Sequence, residues 1–404
     1  MDRKNRYSDF KMRIISDYTK DKRTPKLQKG SYEWWYFDGV SADEEVAFTV
    51  IFFEGNPFSG RYIKAPGSSG AGCFPAISIS VYMKGKPVYY GFIEHDPVNC
   101  HFSARRTFCK AGENEFYGRI RNRELHYRLI LDQTLPGNDS IRGVIDLVSP
   151  AANLQLQNNN RRGAGSAAQE KMEHPCRQIS TAGDPDQSAR ASEGKHAGPG
   201  EKSGAGCHTW NIVQNRADVR GEIHIDGFDP HSIQFEGVGY HDHNVGTETM
   251  ARHFLDWYWG RFHFDHYTLV YFIMRQKEGI LKEAWLTDKS GRTVRLIGEI
   301  RLEDYGFNLF GLKSAKKIVV EGEHLTCFIQ QESPCDNGPF YQRFLSKGIL
   351  KTSTGIEKTT GLTEYLFPGT IGNRFLRPLV NMRIVYPDKT HWVQKSPRLY
   401  RWIW

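Results

Sequence analysis

The stretch Ala76–Ile93, AISISVYMKGKPVYYGFI, is the clearest indicator of the fold class of this chain. Its first half alternates between apolar and polar residues, so Ile77, Ile79 and Val81 would share one face of a strand. Gly85 then turns the chain into a second apolar run. Alternation with a period of two residues, interrupted by a glycine turn, predicts a β-hairpin.

Segments with strand character recur along most of the sequence, and only Tyr7–Tyr18 has a pattern that would suit an amphipathic helix. The further predicted strands are Glu45–Phe53, Glu124–Asp132, Ile141–Val148, Gly221–Asp226, Ser232–Val238, Leu255–Phe262, His266–Met274, Leu281–Thr287 and Thr293–Leu296. Short strands joined by Gly, Asp and Asn turns predict an all-β chain of antiparallel barrels or sandwiches.

The chain contains 404 residues, which is enough for two or three domains. The segment 151–207 is rich in Gly, Ser, Ala, Asn and Gln and has few large apolar residues after Leu156. Such a composition cannot bury enough surface to offset the entropy of ordering, so we expect a disordered surface insertion. We therefore predict a basic tail over 1–30, one domain over 31–250 that carries the insertion, and a second over 251–404.

The positive charge of the chain is concentrated at one end. Residues 1–30 hold ten Lys and Arg against four Asp, or +6 of the total of +8. No nucleic-acid-binding motif accompanies them, so we expect no nucleic-acid partner. A solvated tail is one interpretation; peripheral contact with an anionic membrane is the other, because Phe10, Met12, Ile14 and Ile15 lie among the basic residues.

Several classes of protein are excluded by what the sequence lacks. It has no apolar run long enough to cross a membrane as a helix, no GxGxxG or GxxxxGK[ST] nucleotide fingerprint, and no CxxC pair among its seven cysteines. The N-terminal residues also lack the apolar core of a secretory signal. We therefore expect reduced thiols and a cytoplasmic location.

The first motif with chemical character is EWWYFDG, Glu33–Gly39. In a strand, Trp34 and Tyr36 would lie on one face, with Glu33 on the other together with Trp35 and Phe37. One interpretation is an aromatic wall for an apolar or cationic ligand. The alternative is a strand that packs the core of a barrel.

The second motif is GYHDHN, Gly239–Asn244. An extended backbone would place His241 and His243 on one face and Tyr240, Asp242 and Asn244 on the other. Two histidines two residues apart are also half of many metal sites, and further ligands would have to come from the His263–His266 turn. A structural hydrogen-bonded corner is the other alternative. We expect no metal here, because neighbouring polar groups can satisfy both imidazoles.

The third motif is WYWGR, in which Trp257, Trp259 and Arg261 would share one face of a strand. This spacing suits stacking between a guanidinium and aromatic rings. Arg261 could also orient a carboxylate such as Asp242 or Asp256. A purely structural role remains the alternative.

Together the three motifs, in this order over Ser31–Tyr271, resemble the carotenoid 1,2-hydratase (hydroxyneurosporene synthase) family, whose relatives include lipocalin-like hydratases and fungal decalin-forming pericyclases. The segment Gly361–Tyr365, GLTEY, also resembles a late strand of that family. The resemblance implies two tandem lipocalin-like antiparallel β-barrel domains. It further implies no cofactor, no metal and a hydrophobic small-molecule substrate of isoprenoid or polyene type.

The chemistry implied by the resemblance is acid-catalysed hydration of a terminal double bond. A carboxylic acid or an imidazolium must be held protonated in an apolar pocket, aromatic faces must stabilise a tertiary carbocation, and a polar group must position one water. On the matched positions, the residues assigned to catalysis are His243, Tyr271, Asp242 and His241. Those assigned to substrate binding are Glu33, Trp34, Tyr36, Tyr240, Trp257, Trp259 and Arg261.

Two residues depart from the family pattern. Val245 follows GYHDHN where the family usually has Trp, and Ile273 stands where the resemblance implies an acid two residues after Tyr271. If that acid is the proton donor, then Asp242, Glu33 or His243 must replace it. There are two alternative functions. One is a cyclase or pericyclase, and the other is a lipocalin-like carrier without catalysis. For a hydratase, we expect His243→Ala to abolish turnover and leave folding intact.

Overall fold

The computed structural model describes residues 11–26, 30–65, 71–151, 207–229, 231–250, 254–277, 279–332, 334–371 and 373–403. The predicted insertion therefore lies outside the described residues, except for its two ends, Ala151 and Cys207. Within the described residues the protein is built almost entirely of β-strands, which form two sheets.

The first sheet contains twelve strands. They are β1 (Lys11–Ile15), β2 (Tyr32–Ser41), β3 (Val46–Glu54), β4 (Ala76–Met83), β5 (Lys86–Glu94), β6 (Cys100–Phe102), β7 (Phe108–Ala111), β8 (Asn114–Arg121), β9 (Glu124–Thr134), β10 (Ser140–Pro150), β11 (Cys207–Ile225) and β12 (Ser232–Gly246). Their spatial order is β5-β4-β3-β2-β12-β11-β10-β9-β8-β7-β6, and every neighbouring pair is antiparallel. β1 pairs with β11 in parallel.

The second sheet contains ten strands. They are β13 (Phe254–His263), β14 (Tyr267–Gln276), β15 (Gly279–Asp288), β16 (Thr293–Arg295), β17 (Ile300–Phe307), β18 (Lys313–Gly322), β19 (Leu325–Gln330), β20 (Pro334–Asn337), β21 (Tyr341–Thr352) and β22 (Gly355–Leu366). Their order is β16-β15-β14-β13-β22-β21-β19-β18-β17, and β20 pairs with β21. The strand neighbours are again antiparallel.

These two sheets confirm the predicted fold class, an all-β chain consistent with two lipocalin-like antiparallel barrels. The hairpin Ala76–Ile93 is present as β4 and β5, with Lys84 and Gly85 at the turn, both at positive φ. The alternation that predicted it reflects burial, since Ile77, Ile79 and Val81 lie in the core of the first sheet. The hydrophobic effect therefore explains why the apolar residues of β4 recur at every second position and why their face of the strand is the buried one.

The three short α-helices of the described residues are α1 (Gly60–Lys64), α2 (Arg377–Arg383) and α3 (Pro397–Trp402). After β22 the chain returns to the first sheet. Val385 forms a bridge with Ile93, and Tyr400 packs its ring 6.5 Å from that of Tyr90. The C-terminal segment thus contacts the first sheet, although it follows the second in sequence. The domain limits 31–250 and 251–404 remain a prediction.

The N-terminal segment differs from the predicted solvated tail. Residues 11–15 are strand β1 rather than part of a helix, because their backbone pairs with β11. Met12 and Ile14 are partly buried and pack against the first core. Asp21 is fully buried. The segment 11–26 therefore contacts the first sheet. No helix in the described parts of the chain is long and apolar enough to cross a membrane.

Candidate functional site

A cleft lies between the two sheets and encloses about 940 Å³ of free space, counted out to its open mouth. The lining residues come from both sheets and from α2: Trp34, Tyr36, Ile51, Phe53, Phe58, Ser78, Tyr90, Phe92, Asp242, Asn244, Trp257, Trp259, Asp336, Phe340, Tyr341, Arg343, Glu364, Leu366, Val380, Arg383 and Ile384. Most of this wall is apolar or aromatic.

Strand pairing brings the first two sequence motifs together. β2 and β12 are neighbours, with Trp34 opposite Asn244 and Tyr36 opposite Asp242. Because side chains directly opposite each other in a sheet share a face, these four form one group that faces the cleft. The alternation predicted for both motifs is therefore present in the structure.

The third motif completes the aromatic wall from the second sheet. The ring centroid of Trp257 lies 6.3 Å from that of Trp34, and the centroid of Trp259 lies 5.3 Å from that of Tyr36. The contacts run from β2 of the first sheet to β13 of the second. The aromatic wall thus exists only where the two sheets meet.

Asp242 is buried beside the cleft, and its carboxyl group receives three hydrogen bonds from neutral donors. The indole N–H of Trp210 and the hydroxyl of Tyr240 donate to Oδ2 over 2.7 and 2.8 Å, and the amide of Asn244 donates to Oδ1 over 2.7 Å. Burial raises the pKa of Asp242 to about 8, against the opposing effect of the Trp210 and Tyr240 hydrogen bonds. At pH 7 this carboxyl is mainly protonated.

A second carboxyl lines the same cleft in a different electrostatic environment. Glu364 on β22 accepts a hydrogen bond from Arg343 Nε over 2.9 Å and from the Tyr36 hydroxyl over 3.1 Å, both at Oε1. Arg343 itself is buried and also donates to the Tyr82 hydroxyl over 2.8 Å. Glu364 therefore has an arginine partner, whereas Asp242 has no cationic partner among the described residues.

The cleft has a further ion pair near α2. Arg383 Nη2 lies 2.5 Å from Asp336 Oδ1, and the guanidinium carbon of Arg383 lies 4.7 Å from the ring centroid of Tyr90. This pair joins α2 to β20, and both residues line the cleft. Its charges are satisfied within the protein, so we assign it a structural role.

His241 and His243 lie on the opposite face of β12 and do not line the cleft. Trp35 stacks on His243 with ring centroids 4.6 Å apart, and Phe37 stacks on His241 at 3.9 Å. The stacked rings place both imidazoles inside the first domain. This arrangement differs from the expectation that His243 borders the pocket, because the period of two residues directs His243 and Asp242 to opposite faces.

Both histidines contact buried carboxylates. His243 Nε2 lies 2.7 Å from Glu33 Oε1, His241 Nε2 lies 3.1 Å from Asp21 Oδ2, and His243 Nδ1 lies 3.4 Å from Asp21 Oδ1. Lys26 pairs with Glu33 and also with Glu54. These residues form a charged network that fastens the N-terminal segment to the first sheet.

The network also depresses carboxyl pKa values despite complete burial. Burial by itself would raise the pKa of Asp21. The charges of His241 and His243 and the hydroxyl of Tyr127 lower this pKa by more than burial raises it, so the net shift is downward. For Glu33, Lys26 and His243 likewise outweigh burial and lower the pKa. Neither carboxyl is thus suited to donate a proton at neutral pH.

Two other predicted site residues lie away from the cleft. Tyr271 is fully buried in the core of the second sheet, where its hydroxyl has no hydrogen-bond partner within the described residues. Arg261 is fully buried and pairs with Asp38, not with Asp242 or Asp256. Asp256 instead pairs with Arg275. Tyr240 is a neighbour of the site, because it donates to Asp242.

Four charged residues of the cleft were not predicted from the sequence: Asp336, Arg343, Glu364 and Arg383. Glu364 lies in the GLTEY segment, so the alternation of that strand could have drawn attention to it. Arg343 and Arg383 carried no local signal, because their positions depend on how distant strands and α2 meet. In the described part of the chain, no three His, Cys, Asp or Glu residues are grouped to hold a metal ion.

The sequence of this chain is similar to those of several known proteins. Residues 201–395 match the carotenoid hydratase CrtC family. The chain is 26% identical to hydroxyneurosporene dehydrogenase of Chlorobaculum tepidum over 382 residues, which cover 88% of this chain and 87% of the relative. It is 24% identical to acyclic carotenoid 1,2-hydratase of Rhodobacter capsulatus over 201 residues, 47% of this chain and 62% of the relative.

A solved structure agrees with the fold. A candidate AttH protein, NE1406 of Nitrosomonas europaea, superposes with a TM-score of 0.52 at 16% identity, covering 83% of this chain and 91% of that chain. At this identity the likeness concerns the fold alone. The resemblance that the three motifs predicted is thus confirmed, with residues 201–395 matching the carotenoid hydratase CrtC family.

Proposed function

We propose that this protein is a hydratase that adds water to a terminal double bond of an acyclic, carotenoid-like isoprenoid. The family match and the similarity to an acyclic carotenoid 1,2-hydratase support a hydro-lyase. The aromatic cleft between the sheets supports an apolar substrate.

The observation that carries the proposal is the buried carboxyl of Asp242, which lies beside an aromatic wall and accepts hydrogen bonds from neutral donors. Its burial keeps the acid protonated near pH 7. Hydration of an unactivated alkene needs such an acid, because the first step transfers a proton to carbon. Asp242 thus takes the place of the acid missing at Ile273. It is also the predicted catalytic residue that lines the cleft.

The aromatic side chains supply the second requirement. Proton transfer from Asp242 to the less substituted alkene carbon would leave a tertiary carbocation and an aspartate anion. The π faces of Trp34, Trp257 and Trp259 would stabilise the cation, since such faces attract positive charge. Capture by water with loss of a proton then yields a tertiary alcohol, and solvent returns a proton to Asp242.

The test uses the full-length protein with lycopene, an acyclic carotenoid, dispersed in detergent and incubated in D₂O. We expect an alcohol that carries solvent deuterium on the carbon next to the new hydroxyl-bearing carbon. Asp242→Asn should lower the rate by about a hundredfold or more, the scale of general acid catalysis. Asp218→Asn, an exposed carboxylate on β11, serves as the control and should react like wild type.

Other outcomes would overturn the proposal. Binding of the carotenoid without any product indicates a carrier, and a cyclic product of unchanged mass indicates a cyclase. Wild-type turnover in a folded Asp242→Asn variant would remove Asp242 from the reaction.

A further inference from the structure

The cleft contains a buried hydrogen-bond donor that no protein group satisfies. Trp259 is only 4% exposed and lines the cleft, yet its indole Nε1 has no partner among the described residues. A buried N–H without a hydrogen-bond acceptor is unfavourable, so this donor calls for a ligand. The ligand must present an acceptor, which the alkene of a hydrocarbon does not offer.

An acceptor for the same ligand lies beside this donor. Trp259 on β13 is directly opposite Glu364 on β22. Side chains opposite each other in an antiparallel pair have Cβ atoms roughly 5 Å apart. The hydrogen bonds from Arg343 and Tyr36 both go to Oε1 of Glu364, and both residues line the cleft. Oε2 accepts neither of these bonds.

We propose that Trp259 and Glu364 hold the water molecule that is added to the substrate, and that Glu364 is the base that takes its proton. A water molecule fits this pair because it needs one donor and one acceptor, whereas an anion would be repelled by the carboxylate. The proposal rests on the hydration proposed above and adds the residues that bind the second reactant.

The proposed hydration forms one C–H bond and one C–O bond. Asp242 loses its proton to the alkene carbon, and the water oxygen forms the new C–O bond to the cation. One O–H bond of that water breaks, and Glu364 accepts the proton. Glu364 then releases the proton to solvent while Asp242 regains one, so the net reaction is alkene plus water to alcohol. Glu364 is neutral while it holds this proton, and its ion pair with Arg343 forms again when the proton leaves.

Two substitutions test the water site. Trp259→Phe removes the N–H and retains an aromatic ring, and Glu364→Gln removes the base. With lycopene in D₂O we expect each variant to form alcohol at least about tenfold more slowly. Deuterium should still enter recovered lycopene or a double-bond isomer, because Asp242 still protonates the alkene and the uncaptured cation loses a proton. The ratio of isomer to alcohol should therefore rise.

The control for Glu364→Gln is Glu283→Gln, which removes another carboxylate paired with an arginine in the same sheet, outside the cleft. Thermal melts establish that every variant is folded. The inference is wrong if both cleft variants form alcohol at the wild-type rate, or if alcohol and deuterium incorporation fall in equal proportion. Failure of wild type both to hydrate and to exchange would instead overturn the proposed function.

Discussion

Arg261 forms its ion pair with Asp38, with Nη2 2.5 Å and Nε 2.8 Å from Oδ1, and both side chains are completely buried. Burial raises the pKa of Asp38, and the guanidinium opposes that shift. Because Arg261 pairs with Asp38, it does not pair with Asp242. Asp38 therefore has a buried cationic partner, whereas Asp242 has none among the described residues.

The buried pair predicts a stability effect without a direct effect on chemistry. Arg261→Met leaves Asp38 buried without its cation, which should cost about 3–5 kcal/mol in the free energy of unfolding. The double variant with Asp38→Asn should recover part of that loss, because no uncompensated charge remains. Urea denaturation measures both values. A single variant as stable as wild type would contradict the ion-pair assignment.

The acid role of Asp242 predicts how activity depends on pH. Since its pKa is about 8, kcat/KM should fall about tenfold for each pH unit above that value. A pH series of initial rates measures this. A profile that stays flat to pH 10 would argue against a carboxylic acid of raised pKa as the proton donor.

The same pKa predicts a stability trend that needs no substrate. The folded state holds the proton of Asp242 more tightly than the unfolded state, whose pKa is near 3.8. The contribution of protonated Asp242 to the free energy of unfolding is thus fully present below pH 3.8, and it is lost as the pH rises to about 8. Asp242→Asn should therefore gain stability relative to wild type across that interval, by about 1 kcal/mol per pH unit. A constant difference between the two proteins would contradict the raised pKa.

The motif alone predicts that His243→Ala abolishes turnover and leaves folding intact, whereas the structure predicts the reverse. His243→Ala removes one of the partners of Glu33, a contact with Asp21 and the ring stacked on Trp35, so we expect a loss of about 3–5 kcal/mol in stability. The folded fraction should keep its turnover, since His243 does not line the cleft. Stability and the rate per folded molecule are measured on one preparation. A stable but inactive variant would restore His243 to the mechanism.

The buried network predicts sensitivity to acid. Because the pKa values of Asp21 and Glu33 are lowered in the folded state, the unfolded state binds more protons at low pH. Their contribution to stability is present above their ordinary values of 3.8 and 4.5 and is lost as pH falls below them. Asp21→Asn should reduce the slope of unfolding free energy against pH in this range. An unchanged slope would show that Asp21 does not carry the effect.

The strand period in the sequence determined the fold class and the face of most motif residues. Runs such as Ala76–Ile93 contain enough alternating apolar residues to form a half-buried strand wherever they pair. The separation of Asp242 from His243 across β12 follows from the same local rule. These features depend on neighbours in sequence, so the sequence alone was sufficient for them.

The identity of the acid and its partners was decided by tertiary structure. Arg261, Asp38 and Asp242 are compatible with either pairing in sequence, and only the approach of β13 to β2 and β12 selects Asp38. Likewise, Glu364 and Trp259 become a site only because β22 and β13 are paired and face the first sheet. Charges interact through space, over distances that chain separation does not encode, and so their partners follow from the fold rather than from any motif.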